Sequence, residues 1–537
     1  MAPRPLLRQQ VEALRPVAAD QRDAELIARP GSTPASVTEF ELKFQVDAPH
    51  RAAVEAAVAR GSSQRTRLQA RYFDTADGAL AAQQLVLRVR KEGKHWVQTA
   101  KAPTDEPLQR HEHNVELSTE RAGELPPPRI ERHAGTPVGE LIVQALQAAG
   151  HDPADAVLVP LYATDIRRTT RQMRTGDARV ELAFDRGEVR AGERSHTVCE
   201  LEIELKSGSP QSLLELARRW CMRYGLWLDT VSKAARGERL ARGVEYGEAR
   251  KAEAPRLGDH PNGAEVFRAV LNSCLAQMLP NASEVAAGSS DAEHVHQLRI
   301  GIRRLRTALR EMAELAPAID PAWEPALVDA FRALGLQRDR EHLRQTMQPR
   351  IEAAGGPAVD WHEDTSADSS PAPADVVRST GFQLVLLSLI EAALPPEPGG
   401  GEQCEPPAPA RKPLRARLAK LHRQVVRDGR RFDALAAEEQ HRVRKRLKRL
   451  RYLGEFVAPL FDHGAKRYLK ELRPAQDALG THNDAAMAIA AYRDAAGQDA
   501  RAWFAVGWLA ARQPASAVEC RDALDRIAAA RRFWKKR

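Results

Sequence analysis

The chain has 537 residues, 43% apolar, 28% charged and 5% aromatic, with a formal net charge of +9 and a pI near 9.4. That length exceeds what one hydrophobic core usually organises, so two domains are expected. Five scattered cysteines without a Cys-x-x-Cys pair argue against disulfide staples and structural zinc. The basic balance points to polyanionic partners. The low aromatic share, with no helix-turn-helix, RNP-like or zinc-finger signature, argues against sequence-specific nucleic-acid reading.

Residues 1–36 carry Arg, Pro and Gln with no long apolar stretch, so a disordered N-terminal extension is expected and neither signal peptide nor anchor. Next, Glu39-Phe40-Glu41-Leu42-Lys43 places charges at every second residue, with Phe40, Leu42, Phe44 and Val46 between them. A strand sends successive side chains to opposite faces, so acids and an ammonium share one face. One such segment alone reads better as a half-buried strand with a solvated face. The device recurs, however, at Glu200, Glu202 and Glu204, which alternate with Leu201, Ile203 and Leu205.

Between these segments the charge is basic: Arg88 and Arg90 share a face, and His95 to Lys101 continues to Thr99 and Lys101. Glu112, Asn114 and Glu116 alternate with His113, Val115 and Leu117; Thr164, Ile166 and Arg168 share a face ahead of Val180 to Asp185. If helices cover the apolar face and the sheet closes, acids and bases line one lumen, which about eight strands make wide enough for a small ligand. Buried like charges need pairing or metal. Polyphosphate with a divalent ion satisfies both signs, since carboxylates suit hard cations and Arg or Lys suits phosphate oxygens.

The order of motifs is specific: Glu39-x-Glu41-x-Lys43, Arg71-Tyr72-Phe73-Asp74-Thr75, Leu87-Arg88-Val89-Arg90, Thr99-Ala100-Lys101, Glu181 with Asp185-x-Gly187, Glu202-x-Glu204-Leu205-Lys206-x-Gly208, and Ser232-Lys233-Ala234-Ala235-Arg236-Gly237. Residues 37–245 thereby resemble the CYTH superfamily, the triphosphate tunnel metalloenzymes. The resemblance implies an eight-stranded antiparallel tunnel with surrounding helices. It implies Mg²⁺ or Mn²⁺ held by Glu39, Glu41, Glu202 and Glu204. Triphosphate would be gripped by Lys43, Arg88, Arg90, Lys101, Arg168 and Lys233, with Glu112, Glu116, Glu181 and Asp185 as further lining. Glu41, Lys43, Lys101 and Glu204 would be the catalytic set, and Glu200 is left outside the ligand set, with a position at the tunnel mouth open to it. The implied chemistry is metal-assisted phosphoryl transfer to water; no Walker-type Gly-x-x-x-x-Gly-Lys is present.

A polar linker, residues 246–261, leads into a region of helical period, 262–535, making the whole an α+β tunnel followed by an all-α domain. This second domain contains a repeat: His296, Arg299, Arg303 and Arg306 return 145 residues later as His441, Arg444, Lys448 and Arg451, so two duplicated helical-bundle halves are expected. Ala333-Leu334-Gly335 with Asp339 likewise returns as Ala478-Leu479-Gly480 with Asp484. Leu298, Ile302, Leu305 and Leu309 form a core stripe beside the basic row, as do Val443, Leu447 and Leu450. Each row alone is an ordinary solvated face; two in phase line a positive groove for an extended polyanion. Disordered insertions are expected near 353–375 and 395–413. Phe382 to Leu394 is apolar but too short to span a bilayer, so it is predicted a core helix and no membrane partner is expected.

Residues 262–535 resemble the CHAD domain, a histidine-containing helical module that commonly follows CYTH. The resemblance implies inorganic polyphosphate bound by His296, Arg299, Arg303, Arg306, His441, Arg444, Lys448 and Arg451. The expected function is hydrolysis of inorganic triphosphate in the tunnel with polyphosphate binding on the helices, in the cytoplasm and associated with polyphosphate granules. Two alternatives stand beside it: thiamine or nucleoside triphosphatase or adenylate cyclase activity in the same tunnel, and a non-catalytic granule-binding protein.

Overall fold

A computed structural model describes residues 37–104, 109–118, 124–315, 319–359, 371–395, 409–461 and 463–535, with backbone alone at 37–39, 109–110 and 336–344. The expected N-terminal extension lies outside the described residues. Two compact units emerge: Met1–Leu213 with Val231–Gly247, and Leu214–Thr230 with Glu248–Arg537.

The first unit is built on strands β1 (Val37–Gln45), β2 (Ser63–Asp74), β3 (Val86–Glu92), β4 (His95–Pro103), β5 (Gln109–Leu117), β6 (Val159–Thr175), β7 (Ala178–Ala191) and β8 (Arg194–Ser207). Their order is β5-β4-β3-β2-β6-β7-β8-β1, and β5 pairs again with β1 at Val37↔Glu112, so eight antiparallel strands close on themselves. A ninth strand, β9 (Trp227–Leu228), has two residues and falls in the second unit. The apolar set faces outward: Leu42, Phe44, Leu87, Val89, Leu182, Leu201 and Ile203 are all buried. Helix α1 (Arg51–Val58) packs on β6 and β7, and α2 (Pro137–Ala148) on β4 and β5, where Val138, Ile142 and Leu146 meet Leu87, Ala100 and Ala102. Helices α3 (Pro210–Tyr224) and α4 (Lys233–Arg242) follow the last long strand, and α4 lies on β6, β7 and β8.

Two glycines of the tunnel motifs are explained by close approach. A Cβ on Gly187 would lie 2.0 Å from the Asp165 carbonyl oxygen, and one on Gly237 would lie 2.0–2.7 Å from three ring carbons of Tyr162. Asp74 of the same motifs is structural. It is buried and accepts hydrogen bonds from the backbone N–H of Thr75, Leu80 and Ala81, holding the turn after β2.

The second unit comprises α5 (Gly263–Ala286), α6 (Ala292–Glu311), α7 (Trp323–Thr346), α8 (Gln348–Ala353), α9 (Pro373–Arg378), α10 (Thr380–Ala393), α11 (Arg411–Gly429), α12 (Ala437–Val457), α13 (Ala465–Glu471), α14 (Arg473–Ala495) and α15 (Ala502–Ala529). Asn262 and Glu265 form a capping box that starts α5. Both core stripes are buried, and α10 buries Phe382, Val385, Leu386, Leu387, Leu389 and Ile390, as a core helix should. Among the described residues no helix is long and apolar enough to cross a membrane.

The interruptions expected at 353–375 and 395–413 fall partly outside the described residues; of the described parts, 354–359, 371–372, 395 and 409–410 are turn, bridge or irregular, while 373–375 and 411–413 begin helices. Pro373 opens α9 at a position that needs no N–H donor, and Pro413 sits in the first turn of α11. The polar linker is held as well: Asn281 exchanges hydrogen bonds with the backbone of Arg250, and Arg304 donates to the Glu253 carbonyl.

Candidate active site and basic seam

Strand register fixes which side chains share the lumen. Glu41 lies opposite Glu204, and Glu204 opposite Glu181; Lys43 lies opposite Glu202; Gln45 lies opposite Glu200, then Asp185, then Arg168. On the other side Tyr72 lies opposite Arg88, Arg88 opposite Thr99, Lys101 opposite Glu112, and Val97 opposite Glu116. Glu39 shares the face of Glu41 by register, and its side chain lies outside the described residues.

Exposure along β8 locates the opening. The Glu200, Glu202, Glu204 and Lys206 side chains are 1%, 14%, 21% and 38% exposed, so the lumen opens at the Lys206 end and closes at Glu200. Glu200, for which a position at the mouth was left open, is therefore the deepest of the series. Alternation fixes a residue's face, whereas its height depends on what caps the cylinder, and here that is the start of α4.

Lys233 occupies the first turn of α4, after Ser232, whose hydroxyl accepts from the Ala235 N–H. Its ammonium lies 2.7 Å from Asp185 Oδ2, 2.7 Å from Glu202 Oε1, and also pairs with Glu200. Arg168 grips Asp185 at both oxygens, at 2.7 and 2.6 Å, and reaches Glu202 as well. Lys43 donates to the Val231 carbonyl and lies 3.9 Å from Glu200. Two cations expected on phosphate, Arg168 and Lys233, are thus engaged with carboxylates in this state.

Asp185, Glu200 and Glu202 offer oxygens within 4.8 Å of one another, a donor set suited to a hard divalent cation. Burial pushes Glu202 up, but Arg168 and Lys233 outweigh it and hold the carboxyl well below the usual range. Glu41 fares oppositely. Burial, and then the Glu202 charge, push it up to about 7 despite Lys101, Lys233 and Arg168. Among the described acids, Glu41 is therefore the one that protein cations compensate least, and an added positive charge would stabilise it. Glu181 and Glu204 complete this side, with Lys206 2.6 Å from Glu204 and 3.8 Å from Glu181.

The basic wall is less neutralised. Arg88 meets the Tyr72 hydroxyl, while its buried Nε–H has no acceptor among the described residues. Arg90 donates to Glu92 at 2.6 Å, and burial with the Arg88 charge lowers it to about 10. Lys101 pairs with Glu112, which also accepts from Asn114 at 2.8 Å. Sequence reasoning missed the aromatic part: Tyr72 and Tyr162 stack with centroids 4.6 Å apart, and Gly237 makes room for the second ring. The parity of Tyr72 with Ala70 and Leu68 was its available signal.

In the second unit the two basic rows meet where α6 packs on α12. Arg299 and Arg303 lie over the Phe331 ring of α7, at 4.7 and 5.5 Å. Arg303 acts on both Arg444 and Lys448, with Asp484 of α14 as the attracting charge. Asn483 hydrogen-bonds His441. Arg306 and Arg451 are partly diverted: Arg306 to Glu324 at 2.6 Å, Arg451 to Glu455 at 2.8 Å and Gln476 at 3.0 Å. His296 lies on α6 within the row, partly buried. Not foreseen was a second crowd, in which Arg306, Arg449, Arg444 and Arg310 surround Lys445. Arg304 leaves the seam for the core, hydrogen-bonded to Gln277 and Ser273.

Comparison with known proteins agrees with this division. Residues 38–237 match the CYTH domain family and residues 269–493 the CHAD domain family. An inorganic triphosphatase of Haemophilus influenzae is 29% identical over 166 residues, 31% of this chain; the chain spans 44% of that relative's length. An uncharacterised protein of Mycobacterium tuberculosis is 27% identical over 541 residues, covering 92% of this chain and 96% of that one. The crystal structure of the CHAD domain from the plant Ricinus communis covers 53% of this chain and 98% of its own, at 28% identity and a TM-score of 0.44. Closed acid-and-base tunnel first, duplicated basic helices second: the chain carries a CYTH domain followed by a CHAD domain.

Proposed function

We propose that the tunnel hydrolyses inorganic triphosphate to pyrophosphate and phosphate with a divalent cation, Mg²⁺ or Mn²⁺, and that the helical seam binds inorganic polyphosphate. The observation that carries the reading is the opposition of an under-compensated acidic wall, centred on Glu41, to a basic wall in which Arg88 keeps a buried donor unused. A phosphate chain bridging the walls supplies what each lacks.

Glu39, Glu41, Glu202 and Glu204 would hold the cation, which when bound neutralises charge on the transferred phosphoryl group and polarises the attacking water. Arg88, Arg90 and Lys101 hold phosphate oxygens, and Lys43, Arg168 and Lys233 keep the acids oriented or rotate onto phosphate when the cation replaces them. Without a cation Glu41 is close to evenly divided between its acid and carboxylate forms at neutral pH, so its carboxylate can hold either the cation or the water's proton. Tyr162 is covered by Tyr72 and by the backbone at Gly237, which favours a bare phosphate end over a base or thiazole. The test is phosphate release from tripolyphosphate, ATP, thiamine triphosphate, pyrophosphate and long-chain polyphosphate, with and without EDTA. EDTA-sensitive release strongest from tripolyphosphate supports the reading, and preference for ATP or thiamine triphosphate replaces it with another tunnel activity. No release from any substrate, with polyphosphate still bound, replaces it with a granule-binding role.

A further inference from the structure

Among the described residues, Arg88 is held differently from the neighbouring cations of the tunnel. Arg168 grips Asp185 and Glu202, Lys233 pairs with Asp185, Glu200 and Glu202, Arg90 with Glu92, and Lys101 with Glu112. Arg88 instead hydrogen-bonds the hydroxyl of Tyr72, the residue opposite it across β3 and β2, while the Glu112 charge acts on it through space. A phenol hydroxyl orients a guanidinium without cancelling its charge. Arg88 therefore keeps its full attraction for phosphate, provided that the phenol stays in place.

What fixes the buried Tyr72 ring is a second ring. Tyr72 lies directly opposite Tyr162 across β2 and β6, and the two stack with centroids 4.6 Å apart and planes 19° from parallel, an arrangement that aromatic pairs favour. The opposition depends on an irregularity. Phe73, the next residue of β2, pairs with Pro160, so Leu161 is an extra residue of β6 at this point, and such a bulge re-aims the side chain beside it.

Tyr162 has little room to retreat. The backbone of α4 abuts its ring at Gly237, where a Cβ would lie 2.0 Å from the ring carbon Cδ2. Leu240, one turn further along α4, packs together with the ring against Leu68, Ile166, Val189 and Val198. A tyrosine hydroxyl is placed by only two side-chain torsions. A ring stacked on one side and held by a helix behind therefore sets where the Tyr72 hydroxyl stands, and contact runs from the α4 backbone through Tyr162 and Tyr72 to Arg88.

We propose that Tyr162 is a positioning residue for triphosphate hydrolysis: wedged against the Gly237 backbone, its ring holds Tyr72 so that the Tyr72 hydroxyl keeps Arg88 turned toward a phosphate oxygen. The inference rests on the reading that the tunnel hydrolyses inorganic triphosphate. It assigns Tyr162 no contact with substrate, so its effect must pass through Tyr72, and aromatic shape matters at position 162 where a hydroxyl does not.

The experiment measures kcat/KM for EDTA-sensitive phosphate release from tripolyphosphate by the full chain, with thermal unfolding of each variant to establish that it is folded. Tyr162→Leu should lower kcat/KM by about a hundredfold, the size of effect that a misplacement of about 1 Å produces, whereas Tyr162→Phe should stay within about threefold of the natural protein. Tyr162→Met, a flexible side chain that fills the space without a ring, should lose as much as the leucine variant and covers the case in which that variant does not fold. Tyr72→Phe should also be impaired, and adding Tyr162→Leu or Tyr162→Met to it should cost little more, because the two positions act in series. Equal damage in Tyr162→Phe and the aliphatic variants, aliphatic variants within threefold of the natural protein, or a double variant that loses the product of the two single losses overturns the proposal. No tripolyphosphate hydrolysis by the natural protein would instead remove the reading beneath it.

Discussion

Tunnel and seam both gather charge in poorly hydrated places, yet they balance it differently. In the tunnel, cations are matched by carboxylates from neighbouring strands: Arg168 with Asp185 and Glu202, Lys233 with Asp185, Glu200 and Glu202, Lys101 with Glu112. Among the described acids, Glu41 is the one that this arrangement leaves short. In the seam, Arg303, Arg444 and Lys448 repel one another across two helices, with Asp484 among the described residues attracting them. The contrast suits two tasks. A tunnel balanced within itself is preorganised for a small ligand that arrives with its cation, whereas a surface of excess positive charge attracts any long polyanion by counterion release.

The sharpest way to break the comparison is to remove the uncompensated acid. Glu41→Gln should lower metal-dependent phosphate release from tripolyphosphate by about a thousandfold or more, since it removes a carboxylate from both the cation and the water. Polyphosphate binding by the helices should stay unchanged. Release within tenfold of the natural protein would show that Glu41 is neither ligand nor base.

The converse variant tests the other side. Replacing Arg299, Arg303, Arg444 and Lys448 with Ala should weaken long-chain polyphosphate binding about a hundredfold, at roughly 0.5–1 kcal/mol for each partly exposed charge pair. The dependence of affinity on salt should flatten in parallel, while tripolyphosphate turnover is spared. An unaltered salt slope in a filter-binding or calorimetric series would place the polyanion elsewhere.

The tunnel should also respond to pH. Glu41 has its folded pKa raised to about 7, so its carboxylate form, the one that binds cation, is present above that value and lost below it. At limiting Mn²⁺, tripolyphosphate hydrolysis should therefore rise about tenfold per pH unit below 7 and level off above it. Added Mn²⁺ should move the midpoint to lower pH, because cation and proton compete. A profile flat from pH 5 to 8 at limiting metal would contradict this assignment.

What the sequence revealed follows from what alternation and helical period encode. Both report a face: Glu41 and Lys43 were separable from Phe40 and Leu42, and His441, Arg444 and Lys448 from Val443 and Leu447, before any coordinates. Neither reports depth or partners. The depth of Glu200 was not legible, because Lys233, which pairs with it, lies 33 residues on and is carried by a helix rather than by a strand of the lumen. The Tyr72–Tyr162 stack needs register between β2 and β6, and the Lys445 crowd needs the rotation of α6 against α12. Such relations are set by packing between distant segments, so local spacing is silent on them.

A smaller effect separates charge used in function from charge excluded by the core. Behind the basic wall of the tunnel, Gln98 donates to the Arg129 carbonyl at 2.6 Å and lies 2.9 Å from His133 Nε2, while its own oxygen accepts from the Arg129 N–H and from Arg132. With both amide hydrogens directed this way, His133 Nε2 must accept, so the ring is neutral and carries its proton on Nδ1, 2.9 Å from His113 Nδ1. Burial first, then His113 and Arg132, lower His133 to about 4, below the ordinary 6.5. The unfolded chain therefore binds a proton that the folded one refuses between these values, and stability falls as pH drops from about 6.5 to 4, by at most about 3 kcal/mol. Hydrogen exchange, corrected for intrinsic rate, should show α2 losing protection between pH 7 and 5 in the natural protein and losing less in His133→Gln. Equal losses in the two proteins would mean that this pair does not set the acid stability of the tunnel wall.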